Sequence, residues 1–233
     1  MVKLDSVIAE MPTRYTVRPM QKEDIPQVSA IDREAFPDQW PPPPFRRDLD
    51  NNIVRYLVAL EEGDHPHPRP EITAQKSKGT LRRLISRLKR LFLRESPSAD
   101  EKAAQNQDTV IGYAAMWLMV DEAHLTSIAV RGTHRRLGIG ELLLICMMDL
   151  ALQLKAQVMT LETRVSNLEA QALYEKYGFA KVGMRRRYYS DNGEDAVIMT
   201  TDRITSASYQ AKLRELRQRY VQRWQATREI PPA

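Results

Sequence analysis

With a single cysteine in 233 residues, the chain can form no internal disulfide, which suits a reducing cytoplasm. That cysteine, Cys146, lies in an apolar run with no histidine beside it in a motif, and reads as a small buried hydrophobe rather than a nucleophile. The four histidines form no cluster at ligand spacing, so no metal is expected. A signal peptide and an apolar run of bilayer-spanning length are also missing, so the expectation is a soluble, cytoplasmic protein. No repeat period is visible, and 42% hydrophobic composition is enough for one domain of ordinary size with extensions.

Two common phosphate loops are absent as well. The apolar segment Leu125 to Val130 runs into Arg131-Gly132-Thr133-His134-Arg135-Arg136-Leu137-Gly138-Ile139-Gly140, and a helical pattern follows to Leu154. A strand, a basic glycine-containing turn and a helix start make a phosphate cradle, because the first amides of a helix have no partner within it. No Lys or Ser/Thr follows Gly140, which excludes the P-loop. Leu143 stands where a dinucleotide fingerprint needs its third glycine. What is left is Arg-x-x-Gly-x-Gly, read from Arg135.

Downstream, Val158-Met159-Thr160-Leu161-Glu162 reads as a β-branched and apolar strand ending in a carboxylate. Ser166 and Glu169 have capping-box spacing for a helix that Gly178 closes, which leaves the Asn167 amide spare. Together with Asp121-Glu122-Ala123 before the first strand, Tyr174-Glu175-Lys176-Tyr177-Gly178-Phe179, and Arg186-Arg187-Tyr188-Tyr189, these residues resemble the ribosomal-protein-alanine N-acetyltransferase (RimI-type) family of the GNAT superfamily. The likeness is loose over residues 15–60 and close over 108–201.

The resemblance implies an α/β (α+β layered) GNAT acyl-CoA N-acyltransferase fold. Its mixed, mostly antiparallel sheet has a splayed parallel pair of central strands and is flanked by helices. It implies acetyl-CoA as co-substrate. The diphosphate would lie on Arg135, Arg136, Leu137, Gly138, Ile139, Gly140 and Glu141, and the pantetheine arm on the main chain of Ile128, Ala129 and Val130, with Asn167 nearby. It further implies Glu162 as the base, acting through a water, Tyr174 as proton donor to the leaving thiolate, and Trp40, Tyr188 and Tyr189 beside the acceptor peptide. The acceptor would be a protein N-terminus, by resemblance the N-terminal alanine of a small-subunit ribosomal protein. A GNAT enzyme acting on a small amine or a lysine side chain, and a non-catalytic ribosome- or membrane-docking protein, are the alternatives.

In order along the chain, residues 1–14 carry little pattern. Tyr15 to Met20 is strand-like, and Ile25, Val28, Ile31 and Ala35 recur at helical spacing. Phe36-Pro37-Asp38-Gln39-Trp40 then leads into the run Pro41 to Pro44, a stiff extended loop that departs from the family's Phe-Pro-x-x-Trp-Ser. Phe45 to Asn52 reads as a short helix and Ile53 to Leu60 as a strand. Residues 61–107, rich in Pro, Lys, Arg, Ser and Gln, read as an insertion into a domain spanning 15–203.

Within the insertion, Thr80 to Arg94 makes a basic amphipathic helix, with Leu81, Leu84, Ile85, Leu88, Leu91 and Phe92 on one face. Packing on the domain, lying on an anionic membrane and contacting ribosomal RNA are three open readings, and a net charge of +5 does not choose among them. Val110 to Val120 is a further strand. Phe179 to Tyr189 and Ala196 to Thr201 form a hairpin about Asn192-Gly193. Residues 204–233 form a C-terminal helical extension, with Tyr209, Leu213, Leu216, Tyr220 and Trp224 on a stripe that docks on the domain or on a second copy as a homodimer.

Overall fold

A computed structural model describes residues 15–38, 41–61 and 109–228. The expected peptide contact Trp40 and the expected helix at 80–94, with its RNA and membrane readings, lie outside the described residues. The elements are β1 (Tyr15–Pro19), a 3-10 turn, α1 (Ile25–Ala35), α2 (Phe45–Leu49), β2 (Val54–Glu61), β3 (Thr109–Met119) and β4 (Glu122–Val130). After a second 3-10 turn come α3 (Ile139–Gln153), β5 (Val158–Arg164), α4 (Leu168–Lys176), β6 (Phe179–Arg185), β7 (Ala196–Thr201) and α5 (Ala207–Arg228).

The strands form one seven-stranded sheet in the order β1-β2-β3-β4-β5-β7-β6. β4 and β5 run parallel, while the β1–β2, β3–β4, β5–β7 and β6–β7 pairs are antiparallel. Strands with two covered faces read as apolar runs, and β2 is one: Leu57 and Ala59 enter the core under α3, while Tyr56, Val58 and Leu60 enter the core under α1 and α2. β5 alternates instead. Met159, Leu161 and Thr163 are buried, and the other parity, Thr160, Glu162 and Arg164, is half-buried. That alternation fixes the face on which Glu162 emerges.

The parallel pairing of β4 with β5 covers only Glu122↔Val158 to Leu125↔Leu161. Immediately beyond it, Ser127 faces Ala115 and Leu125 faces Met116, so Thr126 is the extra residue of a β-bulge. Its hydroxyl bonds to the Ala115 carbonyl at 3.2 Å. From there β4 stays with β3 and β5 stays with β7. The two central strands therefore diverge, as the resemblance implies.

Several boundaries differ from the sequence reading. β5 runs two residues past Glu162, because Arg164 still pairs with Ala196. β6 stops at Arg185, short of Tyr189, and the chain reverses with Gly193 at φ +69. Ser166 does not cap α4. Its amide bonds to Glu194 Oε1 at 2.8 Å, and the cap passes to Asn167, whose Oδ1 accepts from the Ala170 amide at 3.2 Å.

The C-terminal stripe packs on its own chain. Tyr209, Leu213, Leu216 and Tyr220 are buried in the same core as α3, the first of the two destinations open to that stripe. This also accounts for α3, which is apolar all round and buried on every side from Leu142 to Ala151. Between the two helices, buried Asp149 faces Arg217 as an ion pair. Leu213 is 2% exposed, so Leu213→Ala is expected to lower unfolding free energy by about 2–5 kcal/mol. Urea denaturation of the full chain measures it, and an unchanged midpoint would mean that α5 does not dock as described.

Candidate active site

The turn after β4 is tied down on both sides. The Arg131 amide bonds to the Ile111 carbonyl at 2.9 Å, and the Arg131 Nε to the Val110 carbonyl at 2.7 Å. The Gly132 amide donates to Glu34 Oε1 at 2.6 Å, and His134 Nε2 meets Glu61 Oε2 at 3.2 Å. Arg136 then takes φ +65 and Gly138 φ +78, which brings α3 in directly from Ile139. A left-handed backbone at the helix start explains Gly138, since a Cβ is strained there.

Leu142 is the first residue of α3 whose amide reaches a carbonyl of this segment, Gly138 at 3.0 Å. The Ile139, Gly140 and Glu141 amides precede it and have no intrahelical acceptor. A Cβ on Gly140 would lie 3.9–4.0 Å from the Val130 and Ile128 methyls, an ordinary contact. Protein packing therefore does not demand that glycine. Arg135 Nε caps the Val130 carbonyl at 3.3 Å, and Arg136 reaches Glu169 at 2.6 Å as an exposed pair. Both arginines thus stand at the rim of the turn.

Ile128, Ala129 and Val130 line the β4 side of the divergence. Ile128 and Val130 pack toward the α3 core, and Ala129 toward the opposite one. Their backbone pairs with β3 on one side only, which leaves an open strand edge facing β5. Free helix amides beside an open strand edge fit a diphosphate carrying an extended amide-containing arm.

Glu162 sits at the mouth of the divergence with its side chain 8% exposed. Its two oxygens have separate donors: His124 Nε2 at 2.6 Å to Oε2, and Arg185 Nε at 2.9 Å to Oε1. An ionised carboxylate only accepts, so it is His124 Nε2 that donates in this bond. His124 was not among the residues expected from sequence. The parallel register sets it opposite Thr160, on the parity of Glu162, and its ring stands edge-on to Trp117 at 6.3 Å. A single polar ring inside an apolar strand was the available signal, but its partner depends on the β4–β5 register.

Tyr188 and Tyr189 lie near this carboxylate, and Tyr174 lies near Tyr189. Tyr188 is 48% exposed, its hydroxyl pKa raised by burial and then by Glu162. Tyr189 is pushed up to about 12, chiefly by burial and opposed by Arg164, whose guanidinium lies 3.9 Å from its ring centre. Tyr174 is also pushed up to about 12, by burial and then by Tyr189. Tyr189 is therefore within electrostatic reach of both Glu162 and Tyr174. The Tyr174 hydroxyl meets no hydrogen-bond partner among the described residues, while its ring packs on Phe179 at 5.7 Å.

Glu194 fixes the loop that carries Tyr188 and Tyr189. Its carboxyl is held down to about 2 by the Ser166 hydroxyl and amide, with help from Arg164. Asn167 spends its Oδ1 on the helix cap, so only its amide nitrogen is left for a ligand. Cys146 is 1% exposed with its thiol pushed up to about 12, which agrees with a packing role.

The parted central strands and the helix start between them define the class: an acyl-coenzyme A-dependent N-acyltransferase. Residues 71–179 match the Acetyltransferase (GNAT) family. A provisionally named ribosomal protein bS18-alanine N-acetyltransferase of Bacillus subtilis (strain 168) is 29% identical over 189 residues, 81% of this chain and 96% of that protein. An N-alpha-acetyltransferase of Sulfurisphaera tokodaii is 30% identical over 188 residues, 79% of this chain and 91% of that protein. Among solved structures, the ribosomal-protein-S18-alanine N-acetyltransferase from Escherichia coli superposes with a TM-score of 0.58 at 24% identity, covering 83% of this chain and 96% of that one. The chain belongs to the GNAT acetyltransferase family, and acetyl-CoA is its acetyl donor.

The two turn glycines are separable by experiment. Gly138→Ala is expected to destabilise the fold by about 1–2 kcal/mol through its left-handed backbone. Gly140→Ala is expected to leave the unfolding midpoint level or slightly higher, because alanine favours a helix by about 1 kcal/mol over glycine, while raising the KM for acetyl-CoA. Thermal unfolding and acetyl-CoA saturation curves on both variants read this out; a Gly140→Ala enzyme with normal KM would mean that no ligand lies on that amide.

Proposed function

We propose that the chain acetylates the α-amino group of protein N-termini, with the N-terminal alanine of a small-subunit ribosomal protein as its acceptor. The carrying observation is the grouping of Glu162 with His124, Tyr188 and Tyr189 at the mouth of the parted strands, with Tyr174 next to Tyr189. The names of the Bacillus subtilis and Sulfurisphaera tokodaii relatives support protein N-termini as the acceptor class. The run Arg186-Arg187-Tyr188-Tyr189 supports a peptide over a small amine, since it sets an aromatic pair, 5.2 Å between ring centres, beside the base. The cytoplasm is the proposed compartment, in keeping with one buried cysteine and with no helix among the described residues long and apolar enough to cross a membrane.

An α-amine with a pKa of roughly 7.7 to 8.0 is largely protonated at neutral pH and must lose that proton before it attacks. Glu162 already takes a donor on each oxygen, an Arg185 N–H and the His124 ring. The pair is better placed. Glu162 orients His124 and offsets the charge it gains, and the proton passes through a water to the pair. The thioester carbonyl then polarises against main-chain amides at the bulge, where β4 has left its parallel partner.

Tyr174 serves the leaving group. With its pKa near 12 the phenol stays protonated throughout the working range, so it is always available as a donor to the sulfur. Full transfer from such a phenol to a thiolate of ordinary pKa, about 8.5, is uphill. Its contribution is therefore a hydrogen bond that strengthens as charge develops on sulfur. Attack is direct, since the one thiol is buried and unactivated.

Peptides beginning with alanine are expected to be acetylated at the N-terminus in preference to spermidine or internal lysine peptides, as read by mass spectrometry; exclusive lysine or polyamine acetylation would overturn this assignment. Glu162→Gln should lower kcat on the order of a hundredfold or more, and Tyr174→Phe by roughly tenfold or more. Because burial raises the Tyr174 pKa, its protonated form persists as pH rises, so kcat should climb with amine deprotonation and show no alkaline fall from Tyr174 up to about pH 10. A fall centred near pH 9 that vanishes in Tyr174→Phe would contradict it.

A further inference from the structure

α5 does more than cover apolar surface. Its last turns reach the start of α3, where the Tyr220 hydroxyl donates to the Gly138 carbonyl at 3.3 Å and Arg223 donates to Glu141 Oε2 at 2.5 Å. Trp224 stands against Gly138, 3.5 Å from where its Cβ would be, and meets the Tyr15 ring edge-on at 5.4 Å. Glu141 has two further donors from the other side, Lys176 Nζ at 2.5 Å and the Tyr177 hydroxyl at 2.7 Å, both to Oε1. The carboxylate is nearly buried, with 9% of its side chain exposed, while Arg223 is about half exposed.

Glu141 is the third residue of α3. A glutamate at that position ordinarily swings back to the free amides of the helix start, which attract any anion within the first turn. Here those amides are the ones a diphosphate needs. An unrestrained Glu141 carboxylate would compete for them from within the chain and repel the ligand's charge. Lys176, Tyr177 and Arg223 hold it turned away and offset its charge, and Arg223 is the one of the three that comes from the C-terminal helix.

We propose that Arg223 and Tyr220 are positioning residues for coenzyme binding: α5 clamps Glu141 and the Gly138 carbonyl so that the α3 amides stay open to the diphosphate. This rests on the acetyl-CoA site assigned to that turn. It makes the C-terminal helix part of the coenzyme site without touching the reacting atoms.

The test measures the dissociation constant of CoA by calorimetry on the full chain, with unfolding midpoints alongside. Arg223→Met is expected to weaken CoA roughly three- to tenfold, the range of a charge effect at a helix start, and to raise the KM for acetyl-CoA while leaving the KM for the acceptor peptide as it was. The decisive variant is the double change Glu141→Gln with Arg223→Met. With the competing charge gone, CoA affinity should return to within about twofold of the parent even though the salt bridge is still missing. Tyr220→Phe, which removes one hydroxyl, should weaken CoA by roughly two- to fivefold and carries the test should Arg223→Met fail to fold. CoA affinity unmoved in both single variants would overturn the clamp, and so would a double variant as weak as Arg223→Met, which would mark a purely structural contact. Parent protein that binds pantetheine as tightly as CoA would instead remove the diphosphate from this turn, and the clamp with it.

Discussion

The parting of β4 from β5 after Leu125 and Leu161 is the constraint on which the rest of the site depends. A parallel pair that ran its full length would satisfy its own backbone and leave nothing for a ligand. Stopping after Leu125 leaves main-chain groups of Ser127 to Val130 facing a gap, and such groups need partners. The Thr126 bulge is what lets β4 remain on β3 while turning away from β5. The gap opens toward both layers. On one side it meets the amides at the start of α3; on the other it meets the face of β5 that carries Glu162. An extended arm laid along that gap would have the first turn of α3 at one end and Glu162 at the other.

Three carboxylates organise what surrounds the gap, and each does so by being held. Glu162 takes His124 and Arg185, which fixes the imidazole by its Nε2. Glu194 takes Ser166 and Arg164, which ties the hairpin loop bearing Tyr188 and Tyr189 to the start of α4. Glu141 takes Lys176, Tyr177 and Arg223, and its pKa is lowered by those three donors against the opposing effect of its burial. A depressed carboxylate stabilises the fold above its unfolded pKa and loses that contribution as pH falls through the folded value. The start of α3 is thus expected to loosen as pH falls through that lowered value.

Local signals marked much of this. The Arg-x-x-Gly-x-Gly turn, the Gly178 stop and the Asn192-Gly193 reversal each depend on a few adjacent residues, and each is where the residues place it. What stayed hidden depended on register or on competition between partners. Ser166 has the spacing of a capping residue, but Glu194, distant in sequence, claims it, and Asn167 inherits the cap. His124 cannot be matched with Glu162 until the parallel register is known. The C-terminal stripe left its destination open between this chain and a second copy, although α3 already pointed to the first. A helix with leucine, isoleucine and methionine on all sides needs cover on its outer face, and α5 is the element that supplies it.

That uniformity of α3 connects stability to chemistry. A helix with one apolar stripe can start a phosphate turn and leave its outer face in water. α3 cannot, because its outer face is as apolar as its inner one, so the turn at its head is only as well formed as the packing of α5 along its body. The buried Asp149 and Arg217 pair pins α5 to the middle of α3, and Tyr220 and Arg223 carry that attachment to the first turn. A buried ion pair is a poor source of net stability but a good source of register, since sliding one helix past the other would strand both charges. On this reading the pair sets where α5 stops along α3. That stopping point decides whether Arg223 reaches Glu141 or falls a turn short of it.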